Sequence, residues 1–328
     1  MSDTSTVVAV LVEDLDDRPP FLAELEDRAE VRYTRADGLA HALTGADVVL
    51  LWDFFSDALR GAWPHADRLR WVHIAAAGVD TLLFDELRDS DVVVTNARGV
   101  FDTPIAEFVL ASVLAHAKQL HASRDLQRQH VWRHRETHAV RGQQAIIVGT
   151  GAIGRATARL LRAMGMHVSG AGRAARSGDA DFGEVVASVD LAHHVNDADH
   201  VIVTAPLTQQ TRKLIDGRVL AAMKPTAHLV NVGRGPVVDE EALVAALHDG
   251  VIGGASLDVF ANEPLSADSP LWDLPNVAVS PHMSGDVIGW RETLARQFVD
   301  NAERYLAGAE PTTLANVVDR QLGFVTAP

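Results

Sequence analysis

Three segments of this 328-residue sequence follow a short apolar run with a side chain that can carry charge or exchange a proton. Arg234 lies between two glycines after residues 228–231, Glu263 precedes a proline, and His282 follows a proline after residues 277–280. A guanidinium can bind a carboxylate through two parallel hydrogen bonds, and an imidazole can give or take a proton near neutral pH. A carboxylate beside the imidazole would orient the ring and favour its protonated form. Together the three residues could bind a small acid and exchange a proton with it.

A glycine-rich loop between a predicted strand and a predicted helix indicates a second kind of chemistry. The apolar run 145–148 leads into the pattern G-x-G-x-x-G at 149–154. In such a loop Gly149 permits the tight turn, Gly151 lets the backbone approach a pyrophosphate, and Gly154 allows close packing of helix and strand. The following helix would present N–H donors and positive dipole to the phosphates. The residues assigned to cofactor binding here are Gly149, Gly151, Ala152, Ile153 and Gly154.

The end of the next predicted strand, residues 166–173, bears on which dinucleotide is bound. NAD is normally held there by a carboxylate that accepts the ribose 2′-hydroxyl. This strand instead ends in Gly172 and Arg173, with Arg176 close behind, and the nearest carboxylates, Asp179 and Asp181, lie too far along the chain. Arginines suit a 2′-phosphate, so NADP(H) is favoured over NAD(H), with Arg173 and Arg176 as its ligands. The alternative is that both arginines are solvated loop charges.

Strands that alternate with helices must position these residues. Such alternation predicts an α/β fold with parallel, doubly wound sheets. Thr103 followed by Pro104 is a typical helix start, which places a long helix between two α/β units. Ligands of open parallel sheets bind at the carboxyl ends of the strands, so Arg234, Glu263 and His282 are expected to converge. Strands are predicted at 7–12, 47–51, 71–75, 92–94, 145–148, 167–169, 200–204, 228–231, 254–258 and 277–280, and helices at 20–29, 152–164, 217–223, 239–248 and 286–306.

Composition excludes several classes of function. With 44 acidic and 29 basic side chains the formal net charge is −15, opposite in sign to that of proteins that bind nucleic acid or anionic membranes. The absence of cysteine excludes disulfides and thiolate chemistry. His134 and His138 lack the glutamate that would directly follow the first histidine in a zinc-protease helix, and no metal site is predicted. The apolar run 7–12 is too short for a signal peptide or membrane span, so a cytoplasmic protein is expected.

The combination of motifs resembles the D-isomer-specific 2-hydroxyacid dehydrogenase family. The similarity runs from about residue 45 to 310, in family order, and includes a segment at 204–211 similar to the cofactor-facing loop of the family. The matching stretches are A-A-G-V-D at 76–80, the glycine-rich loop at 149–154, N-V-G-R-G at 231–235, L-D-V-F at 257–260, N-E-P at 262–264, S-P-L-W-D-L-P-N at 269–276 and P-H at 281–282.

The resemblance implies a specific architecture and specific roles. A flavodoxin-like substrate-binding domain would be discontinuous, comprising 1–101 and 283–328. The Rossmann-like dinucleotide-binding domain, 102–282, would be inserted into it, with the active site in the cleft. His282 would be the general acid, Glu263 its partner, and Arg234 the ligand of the substrate carboxylate, assisted by Ala77, Gly78 and Val79. Further cofactor contacts would come from Thr204, Pro206, Thr211, Val232 and Asp258, and the helix at 103 would take part in a homodimer.

These observations predict an NAD(P)H-dependent reductase of a small 2-oxoacid, of the glyoxylate or hydroxypyruvate type, that forms the D-2-hydroxyacid. One alternative is a dinucleotide-sensing protein of the transcriptional corepressor kind, without significant turnover. Another keeps the enzyme class but changes the substrate to phosphite or a bulkier aromatic oxoacid. Formate is not expected, because the segments typical of formate dehydrogenases are not evident.

Overall fold

The computed structural model describes residues 5–326 and divides the chain into two compact units. The first unit comprises Met1–Phe101 and Val287–Pro328, and the second comprises Asp102–Asp286. Residues 1–4 and 327–328, which the predicted substrate-binding domain includes, lie outside the described residues. In the structure the chain returns to the first unit after Asp286, slightly later than the predicted boundary after residue 282.

The first unit is built on a five-stranded parallel sheet in the order β2-β1-β3-β4-β5. This is the flavodoxin-like order of a doubly wound sheet, as expected. Its central strands are almost completely buried because helices and loops cover both faces. The strands are β1 (Thr6–Leu11), β2 (Ala29–Thr34), β3 (Val48–Leu51), β4 (Trp71–Ile74) and β5 (Val93–Asn96).

The helices of this unit are short except for the last one. They are α1 (Leu39–Leu43), α2 (Ala58–Ala62), α3 (Asp85–Asp89) and α9 (Trp290–Leu306). The α9 helix buries Leu294 and Phe298, and the Phe298 ring stacks on Trp71 of β4 with 5.3 Å between ring centroids. This contact attaches the C-terminal part of the chain to a sheet formed by its first hundred residues.

The helix predicted at 20–29 is wrong. Only a single 3₁₀ turn, Leu22–Leu25, forms there, and Ala29 already begins β2. Leu22 and Leu25 are buried, so the apolar spacing did mark an inward-facing turn. The strand that follows alternates charged residues with apolar ones at the sheet edge, which concealed it from a search for apolar runs.

The second unit contains an eight-stranded sheet in the order β13-β12-β11-β10-β6-β7-β9-β8. Without the outermost strands β13 and β8, and read from β9, the order is β9-β7-β6-β10-β11-β12. This is the 3-2-1-4-5-6 order of a dinucleotide-binding fold, in which the direction of the strand order reverses between β6 and β10. The strands are β6 (Gln144–Val148), β7 (His167–Gly172), β8 (Arg176–Asp179), β9 (Gly183–Ala187), β10 (His200–Val203), β11 (His228–Asn231), β12 (Gly254–Leu257) and β13 (Val277–Val279).

The helices of the second unit are α4 (Asp102–Ala117), α5 (Leu120–Arg128), α6 (Ala152–Ala163), α7 (Gly217–Ala222) and α8 (Glu240–His248). The α4 helix buries Ile105, Val109 and Val113, one side chain per turn, and packs against α6. Within residues 5–326, no helix is long and apolar enough to cross a lipid bilayer.

The β8–β9 hairpin is absent from the sequence prediction. Strand β8 has the sequence R-S-G-D, is mostly exposed, and pairs antiparallel with β9 across an irregular register. Gly178 and Gly183 adopt the left-handed conformation there, with φ of 72° and 71°. A polar edge strand of this kind carries no apolar periodicity to detect.

Candidate active site

The carboxyl ends of the parallel strands β6, β10, β11, β12 and β13 meet at one edge of the second unit's sheet. The residues that directly follow these strands include Gly149, Thr204, Asp258 and the segments that carry Arg234 and His282. The edge therefore combines the glycine-rich loop with the charged residues selected from the sequence.

The glycine-rich loop has the close contacts expected of a phosphate-binding turn. Gly149 has a φ of 111°, which L-residues with side chains rarely adopt. A Cβ at Gly154 would lie 2.0 Å from the carbonyl oxygen of Gly149, so the first turn of α6 packs directly on the loop. A Cβ at Gly151, by contrast, would meet no protein atom within 4 Å. The backbone at Gly151, immediately before α6, thus faces open space where a pyrophosphate could approach the helix N-terminus.

The turn that carries Arg234 is fixed by Asn231, the last residue of β11. The Asn231 amide accepts a bond from Gly233 N (3.1 Å) and donates one to the carbonyl of Arg234 (3.2 Å). A Cβ at Gly235 would lie 1.9 Å from the carbonyl group of Phe260, so only glycine fits between the two segments. The Arg234 side chain is half-buried and its Nη1 donates to the carbonyl of Gly233 (2.8 Å). The guanidinium is therefore held at the sheet edge.

The predicted pairing of His282 with Glu263 is present in the structure. His282 Nδ1 lies 2.7 Å from Glu263 Oε2, and Phe260 N donates to the other carboxylate oxygen, Oε1 (2.9 Å). Burial raises the pKa of the Glu263 carboxyl, but the bonds from His282 and Phe260 and the charges of His282 and Arg234 outweigh it, so the pKa is lowered. Glu263 is thus held as a carboxylate, with the positive charge of Arg234 close enough to act on it.

Asp258 holds the segment in which His282 lies. Its side chain is completely buried, and its two carboxylate oxygens accept bonds from Met283 N (2.9 Å) and Ser284 N (3.0 Å). His282 N also donates to the Asp258 carbonyl (2.8 Å), and His282 itself has a φ of 53°. The family resemblance placed Asp258 against the cofactor. Sequence reasoning missed its bonds to this segment, although an aspartate directly after a buried strand was a signal for such a role.

A network of ion pairs beside the glycine-rich loop involves Arg176, one of the two predicted ligands of the 2′-phosphate. Arg176 donates to Asp179 (2.8 Å), and Asp179 also accepts from Arg155 of α6 (2.8 Å). Asp181 bonds to both Arg155 and Arg159, at 2.9 and 2.7 Å. Hydrogen bonds, that from Arg155 foremost, lower the pKa of Asp179 far below its usual range.

The two aspartates that are remote along the chain are thus folded back onto α6 by the β8–β9 hairpin. The sequence analysis missed this arrangement. Arg176 is bonded to one of these carboxylates. Arg173 lies in the turn after β7 and is exposed.

The remaining predicted residues lie in two places. Thr211 Oγ1 donates to the Pro206 carbonyl (2.7 Å) and accepts from Thr208 N, which closes the loop after β10. Thr204 Oγ1 donates to the Gly149 carbonyl. Val232 lies directly after β11 and is buried. Ala77, Gly78 and Val79 belong to the first unit and follow β4. There Asn96 Nδ2 donates to the Ala77 carbonyl (2.6 Å) and Val79 is buried.

Among residues 5–326 no group of three or more His, Asp or Glu side chains is arranged to hold a metal ion. The arrangement at the sheet edge provides an oriented imidazole, a half-buried guanidinium and a site for phosphates. These groups can bind an anionic substrate and exchange a proton with it next to a dinucleotide.

Comparison with known proteins agrees with this arrangement. Residues 110–284 match the model of the D-isomer specific 2-hydroxyacid dehydrogenase, NAD binding domain. A glyoxylate reductase of Thermococcus gammatolerans is 34% identical over 280 residues, which cover 82% of this chain and 83% of the relative. An (S)-sulfolactate dehydrogenase of Chromohalobacter salexigens is 36% identical over 240 residues, covering 73% of this chain and 78% of the relative.

A solved structure is similar over almost the whole chain. It is that of an NADPH-dependent glyoxylate/hydroxypyruvate reductase from Sinorhizobium meliloti in complex with NADP and sulfate. The TM-score is 0.82 at 28% identity, and the match covers 97% of this chain and 100% of the other. The family model and the relatives together confirm the resemblance, and they do not favour a corepressor. The chain therefore belongs to the D-isomer-specific 2-hydroxyacid dehydrogenase family and is an NAD(P)-dependent dehydrogenase of 2-hydroxyacids.

Proposed function

We propose that this enzyme reduces a small 2-oxoacid of the glyoxylate or hydroxypyruvate type to the D-2-hydroxyacid, with NADPH as the preferred reductant. The observation that carries the proposal is the 2.7 Å contact between His282 Nδ1 and Glu263, on which the charge of Arg234 acts, at the same sheet edge as the glycine-rich loop. The relative from Thermococcus gammatolerans and the solved structure from Sinorhizobium meliloti, both named as reductases of such acids, support it.

The residues have complementary tasks in this reaction. The nicotinamide supplies hydride to the carbonyl carbon when the cofactor is bound. Glu263 accepts the hydrogen bond of His282 Nδ1, so Nε2 is the ring nitrogen from which the proton passes to the carbonyl oxygen. Arg234 binds the substrate carboxylate and stabilises negative charge that develops on the oxygen. Ala77, Gly78 and Val79 would add backbone contacts to the same carboxylate.

The proposed NADPH preference depends on Arg173. The strand β7 ends in Gly172 without a carboxylate, and Arg173 in the exposed turn can reach a 2′-phosphate. Arg176 is ion-paired with Asp179, which reduces the charge it can offer to the phosphate. The NADP of the Sinorhizobium meliloti structure supports this preference.

Two further expectations come from the family resemblance and the composition. They are a homodimer in which the α4 helix takes part and a location in the cytoplasm. Sedimentation of the full chain would test the first, since a monomer at micromolar concentration would contradict it.

A steady-state experiment tests the proposed reaction. The full chain is mixed with NADPH or NADH and with glyoxylate, hydroxypyruvate or sulfopyruvate, and loss of nicotinamide absorbance is followed. The expected result is the highest kcat/KM with NADPH and one of the first two acids. Sulfopyruvate as the best substrate would contradict the substrate class, and absence of turnover with every pair would contradict the proposed reaction.

The Arg173→Asp variant tests the cofactor preference against Arg133→Asp, an exposed arginine in another segment. Loss of the 2′-phosphate contact and repulsion by the new carboxylate should raise the KM for NADPH about tenfold to a hundredfold. The KM for NADH should stay the same or fall, because a carboxylate at this position can accept the ribose 2′-hydroxyl. A preference for NADH in the unmodified enzyme would contradict the assignment of Arg173.

A further inference from the structure

The largest group of histidines in the second unit lies at the opposite edge of the sheet from the glycine-rich loop. His200 and His228 are the first residues of β10 and β11, so they stand at the amino ends of strands whose carboxyl ends form the active site. A cavity of about 380 Å³ opens beside them, and three more histidines line it. The five are His116, His121, His138, His200 and His228. None of them has a role in the proposed reaction.

A chain of hydrogen bonds fixes the protonation of the two most buried rings. His200 Nε2 lies 2.9 Å from Gln143 Oε1, the Nδ1 atoms of His200 and His228 are 3.4 Å apart, and His228 Nε2 lies 3.0 Å from Ser256 Oγ. The amide oxygen can only accept, so His200 carries its proton on Nε2 and accepts from His228 Nδ1–H. The Ser256 hydroxyl then donates to His228 Nε2. With both rings neutral every link is satisfied. An additional proton on His200 Nδ1 would break the link between the two rings, whereas one on His228 Nε2 would only reverse the bond to the Ser256 hydroxyl, which can accept as well as donate.

The cavity offers these imidazoles no free negative partner. Asp199, the acidic residue in the lining, already accepts bonds from Lys224 Nζ (2.8 Å) and Gln144 N (2.8 Å). His116 stacks on His228 with 4.2 Å between centroids and lies edge-on to His200. A proton on any of these three rings would therefore face other imidazoles. At His200 it would also face Lys224, which opposes the charge, and Asp199, which favours it but is shared with Lys224.

The pKa values reflect this environment. Burial is the main cause that lowers the pKa of His200 to about 4 and that of His228 well below its usual value, and neighbouring His116 adds to both effects. Burial is also the main cause that lowers the pKa of His116, and the neighbouring His138 and His121 add to this effect. A hydrogen bond with the Thr226 backbone raises the pKa of His116 and so works in the other direction. On protonation, each of these three imidazoles would add a positive charge to the cavity.

A cation is a poorer occupant of this cavity than an anion. The facing nitrogens of His200 and His228 are already joined in the hydrogen-bond chain. The rings of His116 and His228 are within 2° of parallel, so their in-plane lone pairs cannot converge on one metal ion. A small anion, by contrast, would provide the missing negative charge and accept the N–H groups of protonated rings.

We propose that this histidine cavity is a binding site for a small oxyanion, a phosphate or a short carboxylate, which enters together with at least one proton. The exposed His121 and His138 would provide the first contacts, and the buried rings would take up the proton as the anion neutralises it. The site is separate from the glycine-rich loop because the loop follows the carboxyl end of β6, whereas His200 and His228 lie at the amino ends of the parallel strands β10 and β11.

Calorimetric titration of the full chain with inorganic phosphate, and separately with succinate, tests the proposal. Binding is measured near pH 6 and pH 8, each in two buffers of different ionisation enthalpy, so that proton uptake is counted directly. The expected result is uptake of about one proton and an affinity that rises by up to about tenfold for each unit of falling pH. Tighter binding of phosphate or of succinate identifies which source of oxyanion fits.

A pair of double variants separates this cavity from the phosphate-binding loop. H121Q/H138Q removes two exposed imidazoles of the cavity, and H193Q/H194Q removes two exposed imidazoles outside its lining. The affinity of the anion binding that takes up a proton should fall at least tenfold in H121Q/H138Q and stay unchanged in H193Q/H194Q. The same proton-linked binding in both variants, binding without proton uptake, or tight binding of Zn²⁺ in place of the anions would overturn the proposal.

Discussion

Replacing Asp258 by asparagine tests how the segment carrying His282 is held. The carboxylate is completely buried and accepts bonds from two backbone N–H groups at 2.9 and 3.0 Å. Asparagine keeps one acceptor oxygen but turns an NH₂ group toward the other N–H donor. Losing one charge-assisted bond costs about 2 kcal/mol, and the donor left buried without a partner adds roughly 1–2 kcal/mol. The expected loss in the free energy of unfolding is therefore about 3–4 kcal/mol, unless the segment rearranges.

Urea unfolding followed by tryptophan fluorescence measures this loss, with Asp268→Asn as a control at an exposed aspartate. The control should change the free energy of unfolding by no more than about 0.5 kcal/mol. If the segment rearranges instead of unfolding, kcat falls and the affinity for NADPH is retained, because His282 is displaced from its position. A D258N variant with unchanged stability and unchanged kcat would refute the role assigned to the buried carboxylate.

Four further predictions concern the glycine-rich loop, the buried His200 and the acid–base pair. Gly154→Ala should destabilise the fold or abolish dinucleotide binding, because its Cβ would lie 2.0 Å from the Gly149 oxygen. Gly151→Ala should fold normally in thermal melts but bind NADPH more weakly in a fluorescence titration, since its Cβ meets only open space. The lowered pKa of His200, about 4 against 6.5 in the unfolded chain, leaves stability intact above pH 6.5. Between pH 6.5 and 4 the unfolded chain gains a proton that the folded chain does not, so stability should fall by about 3 kcal/mol. Urea unfolding across this range, with a flatter profile expected for His200→Gln, measures it. Glu263→Gln keeps an acceptor for His282 but loses its charge, so kcat should drop about tenfold to a hundredfold with little change in stability. An unchanged kcat would exclude Glu263 as the partner of the acid.

The sequence predicted the parts of the site whose local patterns are strong. The glycine spacing at 149–154 requires close backbone contacts, and the structure has them at Gly149 and Gly154. The strand ends of one parallel sheet indicated that the segments of His282 and Glu263 could converge, and the family resemblance implied their pairing; in the structure His282 Nδ1 lies 2.7 Å from Glu263 Oε2.

Other features depend on tertiary contacts that a linear sequence does not display. Asp179 was dismissed because of its distance along the chain, yet a polar hairpin folds it back against Arg155. The bonds of Asp258 to Met283 and Ser284 likewise join segments 25 and 26 residues apart. The histidine cavity combines residues from α4, β10 and β11 whose individual positions suggested nothing in common. Such pairings follow from sheet order and from edge strands, and neither is encoded in local periodicity.

In the proposed reaction His282 delivers the proton that reduction of a 2-oxoacid requires. The most direct test compares NADPH-dependent glyoxylate reduction by the unmodified enzyme and by His282→Gln under identical conditions, with NADPH affinity and unfolding measured for both. We expect kcat to fall by at least about a hundredfold in the variant, while cofactor affinity and stability stay close to those of the unmodified enzyme. A variant that reduces glyoxylate at the full rate would contradict the assignment of His282 as the acid.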